Sequence, residues 1–98
     1  KKIVEEGKKI DSLFLILEGK VAVSRESETL ANLKRGDFIA EMSLVTEEPA
    51  TADVTFSGQV KCMLWNQDKI RHLKKSNPDF WIKIHDILSF DLIKKMKS

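Results

Sequence analysis

Leu13-Phe14-Leu15-Ile16-Leu17 is an unbroken apolar run of strand length, the pattern of a strand covered on both faces. Before it, Lys1 to Glu5 is a short strand candidate, closed by the polar turn Glu6-Gly7-Lys8-Lys9. After it, Glu18-Gly19 leads into Lys20 to Arg25, where Val21 and Val23 alternate with Lys20, Ala22 and Ser24. The two runs read as a hairpin. Thr29 to Leu33 is a further short strand, entered through Glu26-Ser27-Glu28. Thr51 to Phe56 alternates polar and apolar, with Ala52, Val54 and Phe56 on one side. Ser57-Gly58-Gln59 then turns the chain into Val60 to Trp65, and these two strands are expected to pair.

The stretch Gly36 to Val54 departs from this rhythm. Gly36-Asp37 signals a turn, because glycine reaches backbone angles closed to other residues. Ala40 to Thr46 permits a short helix with Met42 and Val45 as its apolar side, and Pro49 stops it. The N-terminal end of a helix gathers backbone N–H groups without intrahelical partners, which suits an anion.

Past Trp65 the period changes. Asn66 is placed to cap a helix from Gln67 to about Lys75, with Asp68 in its first turn. Asn77-Pro78-Asp79 starts a second helix, which runs to about Met96 and ends among Lys94, Lys95 and Lys97. Its broad apolar face, Phe80, Trp81, Ile84, Ile87, Leu88 and Leu92, suits packing on the strands. Ile82, Ile93 and Met96, with Ser89 among them, form a second stripe on another side. Strands first and helices last give an α+β order. The predicted fold is an antiparallel β-roll or jelly-roll barrel (double-stranded β-helix) over residues 1–65, with two C-terminal helices over 66–98.

Ninety-eight residues suffice for one domain with a modest core, and an opening inside a strand suggests a piece of a longer protein. Seventeen basic against fifteen acidic residues leave a net charge of +2, too small and too mixed to argue for nucleic acid. No apolar run reaches the roughly 18 to 20 residues of a membrane span. The single Cys62 excludes an internal disulfide and fits a reducing, cytoplasmic setting; a buried structural thiol is its default. His72 and His85 fall on separate predicted helices, which argues against a metal site. Ser24, Ser43 and Ser57 lie in no His/Asp arrangement, so no enzyme is expected and no cofactor is implied.

Gly36, Asp37, Phe38, Glu41, Leu44, Pro49, Ala52 and Val54 fall in the order of a known cassette. The stretch resembles the phosphate-binding cassette of cyclic nucleotide-binding domains, Gly-Asp-Phe-Phe/Ile-Gly-Glu-Leu-Ala-Leu-Leu followed by Pro-Arg-Ala/Ser-Ala-Thr-Val. Glu6-Gly7 through Lys20-Val21 resembles the same family's opening hairpin, glycine for glycine. Trp65 and the Leu88, Asp91, Leu92 and Met96 spacing are reminiscent of its Popeye-type branch. The resemblance implies a ligand site built from Phe38, Ile39, Ala40, Glu41, Met42 and Ser43 together with Ala50, Thr51 and Ala52. In that family the glutamate binds the ribose 2′-hydroxyl and the arginine pairs with the cyclic phosphate. Glu41 stands at the first position, where a solvated helix-start acid is the competing reading. Ala40 replaces the family's glycine and Ala50 replaces its arginine. Thr51 stands where some members place a phosphate-binding serine. Asp53 would oppose an anion by roughly 1–4 kcal/mol if it shared a side with Thr51. Two functions follow from the resemblance. One is a regulatory sensor of a cyclic nucleotide or other small anion, with weak or altered binding, in which the last helix is drawn over the pocket. The other is a vestigial pocket in a domain that assembles as a homodimer through Ile82, Ile93 and Met96.

Overall fold

The computed structural model describes residues 1–96, and side chains to Lys94. In chain order the elements are β1 (Lys2–Val4), β2 (Ser12–Glu18), β3 (Val21–Arg25), β4 (Glu28–Leu33), β5 (Phe38–Ile39), α1 (Glu41–Thr46), β6 (Asp53–Phe56), β7 (Lys61–Asn66), α2 (Gln67–Ser76) and α3 (Pro78–Met96). The strands form two antiparallel sheets, β1-β6-β3-β4 and β5-β2-β7. Their inner faces enclose a core of Val4, Ile16, Val21, Leu33, Ile39, Ala50 and Val54. This is the β-roll followed by helices that the sequence predicts.

Two expected pairings are corrected. β2 and β3 are not a hairpin: β2 pairs with β5 and β7, while β3 pairs with β4 and β6 in the other sheet. Gly19 makes that change of sheet at φ +99, and an added Cβ would lie 2.5 Å from the Gln59 carbonyl oxygen. Close backbone approach there, and not a tight hairpin, is what the glycine serves. The β3–β4 hairpin instead turns at Glu26 and Ser27, whose positive φ values of 53° and 67° suit a two-residue connection between twisted strands. Likewise β6 pairs with β1 and β3, and β7 pairs with β2, so the strands flanking Gly58 do not pair with each other.

β2 is covered on both faces only at its first half. Phe14 and Ile16 face the sheet interior, and Leu13 joins Leu44 and Leu88 in a second cluster under the helices. Leu17, near the end of the strand, is 45% exposed. The caps follow expectation: the Asn66 side chain accepts from Lys69 N–H at 3.0 Å, and Asn77 accepts from Phe80 N–H at 3.3 Å. The packing face of α3 is narrower than its sequence suggests. Leu88 is buried and Trp81, Ile84 and Leu92 are half-buried, but Phe80 and Ile87 remain 49% and 59% exposed. Ile82 and Ile93 are exposed as well, and the Met96 side chain lies outside the described residues.

Candidate functional site

The turn before the cassette is built by Asp37. Its carboxylate accepts from Lys34 N–H at 2.9 Å, and its own N–H donates back to the Lys34 carbonyl at 2.9 Å. Gly36 N–H and the Asp37 carbonyl both bond to Ile16 of β2, fixing the cassette entry against the sheet. Two residues of β5 follow, and then Ala40 turns the chain at φ 76, ψ 21, a left-handed conformation. An L-residue pays roughly 1–2 kcal/mol there and glycine does not. Helix α1 therefore starts at Glu41 and not at Ala40.

The buried side of α1 is also corrected. Met42 is 51% exposed and Val45 half-buried, whereas Leu44 is fully buried beside Leu13 and Leu88. Glu41 and Ser43 are buried too, at 5% and 7% exposure. Glu41 is thus no solvated helix-start acid. Its side chain lies in the wall of a cavity of about 250 Å³, close to the small end of the range for ligand pockets.

Phe38, Ile39, Ala40, Glu41, Met42, Ser43, Ala50, Thr51 and Ala52 all line this one cavity. Sequence reasoning did not name its floor: Val4, Val23, Ala31, Leu33 and Val54 close it from the strands, with Ile10 from the β1–β2 connection. Thr46, Glu48 and Pro49 complete the rim. The inward alternation of Val21 and Val23 was the available signal for β3. Among the described residues no lysine, arginine or histidine contributes to the lining, whose ionisable groups are the carboxylates of Glu41 and Glu48. No described side chain of α3 lines it either; that helix packs on α1 and α2.

Ala50 is 9% exposed and belongs to the core cluster. Its N–H donates to the Lys8 carbonyl at 3.0 Å and its carbonyl accepts from Gly7 N–H at 2.7 Å. The backbone at the family's arginine position is therefore held in place, with a methyl on it.

Asp53 does not share a side with Thr51. Its carboxylate accepts from Glu6 N–H at 2.8 Å and pairs with Lys2 Nζ at 3.2 Å, on the β1 side of β6. The Glu6 N–H and then Lys2 hold this carboxyl below its ordinary value. The repulsion expected of it inside the pocket does not arise.

Arg71 was missed by sequence reasoning. Its Nη1 donates to the Leu44 carbonyl at 3.2 Å and to Gln67 Oε1 at 3.1 Å, and Nη2 to Asp68 at 2.8 Å. Gln67, 1% exposed, in turn donates to the Ser12 carbonyl at 2.9 Å. The first helix after the barrel is thereby bonded to the cassette helix and to β2 together. The i,i+3 and i,i+4 spacing to Asp68 and Gln67 is visible in sequence; the reach to Leu44 is tertiary.

Elsewhere the chemistry is sparse. Cys62 is half-buried against the core, and burial pushes its thiol up. His85 meets Ser89 at 3.5 Å and lies beside Trp81, over whose ring Lys74 sits at 5.0 Å. Among the described residues no three His, Cys, Asp or Glu side chains gather as a metal site would require. None of the helices there is long and apolar enough to cross a membrane.

The two-sheet roll thus sets its cassette helix and the buried Glu41 in the wall of one cavity. The cyclic nucleotide-binding domain family model matches residues 1–77, and the chain belongs to that family. A cAMP-dependent protein kinase regulatory subunit of Dictyostelium discoideum is 32% identical over 79 residues, which are 72% of this chain and 24% of that protein. A cyclic nucleotide-binding domain from Methylobacillus flagellatus superposes with a TM-score of 0.89 at 25% identity, over 99% of this chain and 57% of that one. The regulatory subunit of a cAMP-independent protein kinase A from Trypanosoma brucei superposes at 0.70 and 25% identity, over 74% of this chain and 27% of that one. This chain spans less than a third of either kinase-associated relative, both of which are regulatory subunits.

Proposed function

We infer that this chain is the sensory part of a larger regulatory protein, and that it takes a cyclic nucleotide or related small ligand weakly. The observation that carries the reading is Glu41, a buried carboxylate set in the wall of a cavity with no cationic lining residue among the described residues. The carboxylate provides a hydrogen-bond acceptor for a ribose diol, with Ser43 and Thr51 as hydroxyl neighbours and apolar strand residues against a base. The arginine that would pair with a cyclic phosphate is Ala50. A charge-assisted hydrogen bond contributes about 1.5–3 kcal/mol, so its loss weakens cyclic AMP about tenfold to a hundredfold. The Trypanosoma relative described as cAMP-independent is in keeping with a site of this fold released from that ligand.

Calorimetric titration with cyclic AMP and cyclic GMP tests the reading. The expected dissociation constants lie above about 1 μM; submicromolar binding in physiological salt overturns it. A second reading, assembly through α3, is favoured by one observation: Ile82 and Ile93 are 55% and 54% exposed on the helix face turned away from the barrel. In that case the pocket is vestigial and the domain serves as a dimerisation unit. The two readings separate on whether any nucleotide saturates the cavity.

A further inference from the structure

Arg25 ends β3 two residues after Val23, and successive side chains of a strand alternate faces, so the two share one. Val23 lines the cavity, and its partner across the sheet is Val54, another lining residue. Arg25 therefore stands at the cavity mouth on the inward-facing row of β3. Its Nε donates to the Thr51 carbonyl at 2.8 Å. Thr51 lines the cavity and directly follows Ala50, whose Cα is about 3.8 Å away along the chain. The guanidinium is thus anchored one peptide from the position where the family's arginine stands, but from the opposite strand.

The anchor leaves the group's charge available. The single bond to Thr51 fixes the plane through Nε, and both terminal nitrogens are without a protein partner among the described residues. Glu28, directly across the β3–β4 ladder, forms no ion pair with it, and neither does Glu48 on the rim. A guanidinium fork held at its base by a carbonyl, with two outward N–H pairs, is suited to bidentate contact with a phosphate.

We propose that Arg25 is the anion-binding residue of this site, receiving the ligand's phosphate at the cavity mouth in place of the arginine absent from position 50. The inference rests on the ligand-binding reading above and adds the group that recognises the anion. Contact from the exposed rim is weaker than contact from a buried arginine, which agrees with a site of low affinity.

Titration of the wild type with cyclic AMP and with adenosine, which lacks the phosphate, tests the assignment. Cyclic AMP is expected to bind about fivefold to tenfold more tightly than adenosine, and the ratio to shrink as salt is raised. In Arg25→Gln the ratio falls to near one, while Arg25→Lys, which keeps the charge without the fork, falls between. Melting curves of both variants check that the fold is intact. If adenosine binds and the ratio is near one in the wild type, or survives in Arg25→Gln, the role of Arg25 is overturned and the pocket reading stands. If neither compound saturates the protein, the pocket reading itself fails and this inference fails with it.

Discussion

Arg71 of α2 donates a hydrogen bond to the backbone carbonyl of Leu44, 3.2 Å away near the end of α1. The carbonyls of a helix's last turn have no intrahelical partner, so a cation there satisfies one and complements the helix dipole. Arg71 also bonds to Gln67 and Asp68 and meets Glu47 at 3.7 Å, with its side chain only 13% exposed. Arg71→Met keeps the stem but removes these bonds, leaving Gln67 Oε1 without that donor. The expected loss is about 2 kcal/mol of unfolding free energy in urea titration. Arg71→Lys should recover less than half, because an ammonium lacks the planar fork. A loss below about 0.5 kcal/mol would show that the latch is not structural.

Ala40 offers a change in the opposite direction. Its φ of 76° lies where glycine is at ease and alanine is strained. Ala40→Gly relieves that strain and returns part of the gain as unfolded-state entropy, for a net stabilisation of about 0.5–1 kcal/mol. In a chain of this size that raises the melting temperature by about 2–8 °C in calorimetry. An unchanged or lowered melting temperature would mean that the Cβ packing of Ala40 against the core outweighs its backbone cost.

Much of this was legible from residue patterns, and the failures have a common origin. The strands, the two capped helices and the cassette were written locally, in alternation, in Asn66 and Asn77, and in Gly36-Asp37. Strand pairing was not, because a roll passes successive strands between sheets, and Gly19 and Gly58 look like hairpin turns in sequence. The burial of Glu41 was equally hidden: an acid in the first turn of a helix has the same local signature whether it faces water or a cavity. Asp53 shows the converse, since a pocket neighbour in sequence proved to serve β1.

The position of Asp53 changes what is expected of a restored arginine. Ala50→Arg should tighten cyclic AMP about tenfold to a hundredfold by calorimetry, as the lost contact returns. Adding Asp53→Thr should give nothing further, because that carboxylate is engaged with Lys2 and Glu6 outside the cavity. No gain from Ala50→Arg would mean that the core around position 50 turns the side chain away from the ligand.

Acid stability should also report on Asp53. The Glu6 N–H, with Lys2 as the lesser cause, holds its folded-state carboxyl below the ordinary value. Its contacts therefore stabilise the fold above the unfolded value, near pH 4, and are lost as pH falls through the lower folded value. Asp53→Asn should lower stability at neutral pH and flatten the fall in stability below about pH 4. Equal slopes for both proteins in urea titrations across that range would show that another carboxylate carries the acid limb.

The surface of α3 bears the last prediction. At 3.6 residues per turn Ile82 and Ile93 lie within about 20° of each other, and Phe90, 70% exposed, follows within about 80°. Ile87 and Phe80, 59% and 49% exposed, lie about 140–160° from Ile82 and line a groove with Leu13, Ile70, Ile84 and Leu88, so they belong to the other face. Trp81, Ile84, Leu88 and Leu92 occupy the remaining side and face the protein. One helix therefore carries two apolar faces, and the barrel covers one. A large side chain brought from water into a contact contributes about 1.5–3 kcal/mol when fully buried, so a few suffice for micromolar association. Antiparallel pairing of α3 with its copy would set Ile82 of one chain near Ile93 of the other, closing the patch by two-fold symmetry. Lys83 and Asp86 interleave with the arc and can pair across such an axis. Sedimentation at tens of micromolar is expected to show a dimer that Ile82→Asp/Ile93→Asp converts to monomer. If the wild type is monomeric at high micromolar concentration, α3 does not pair with its own copy, and its second face is left to some other partner.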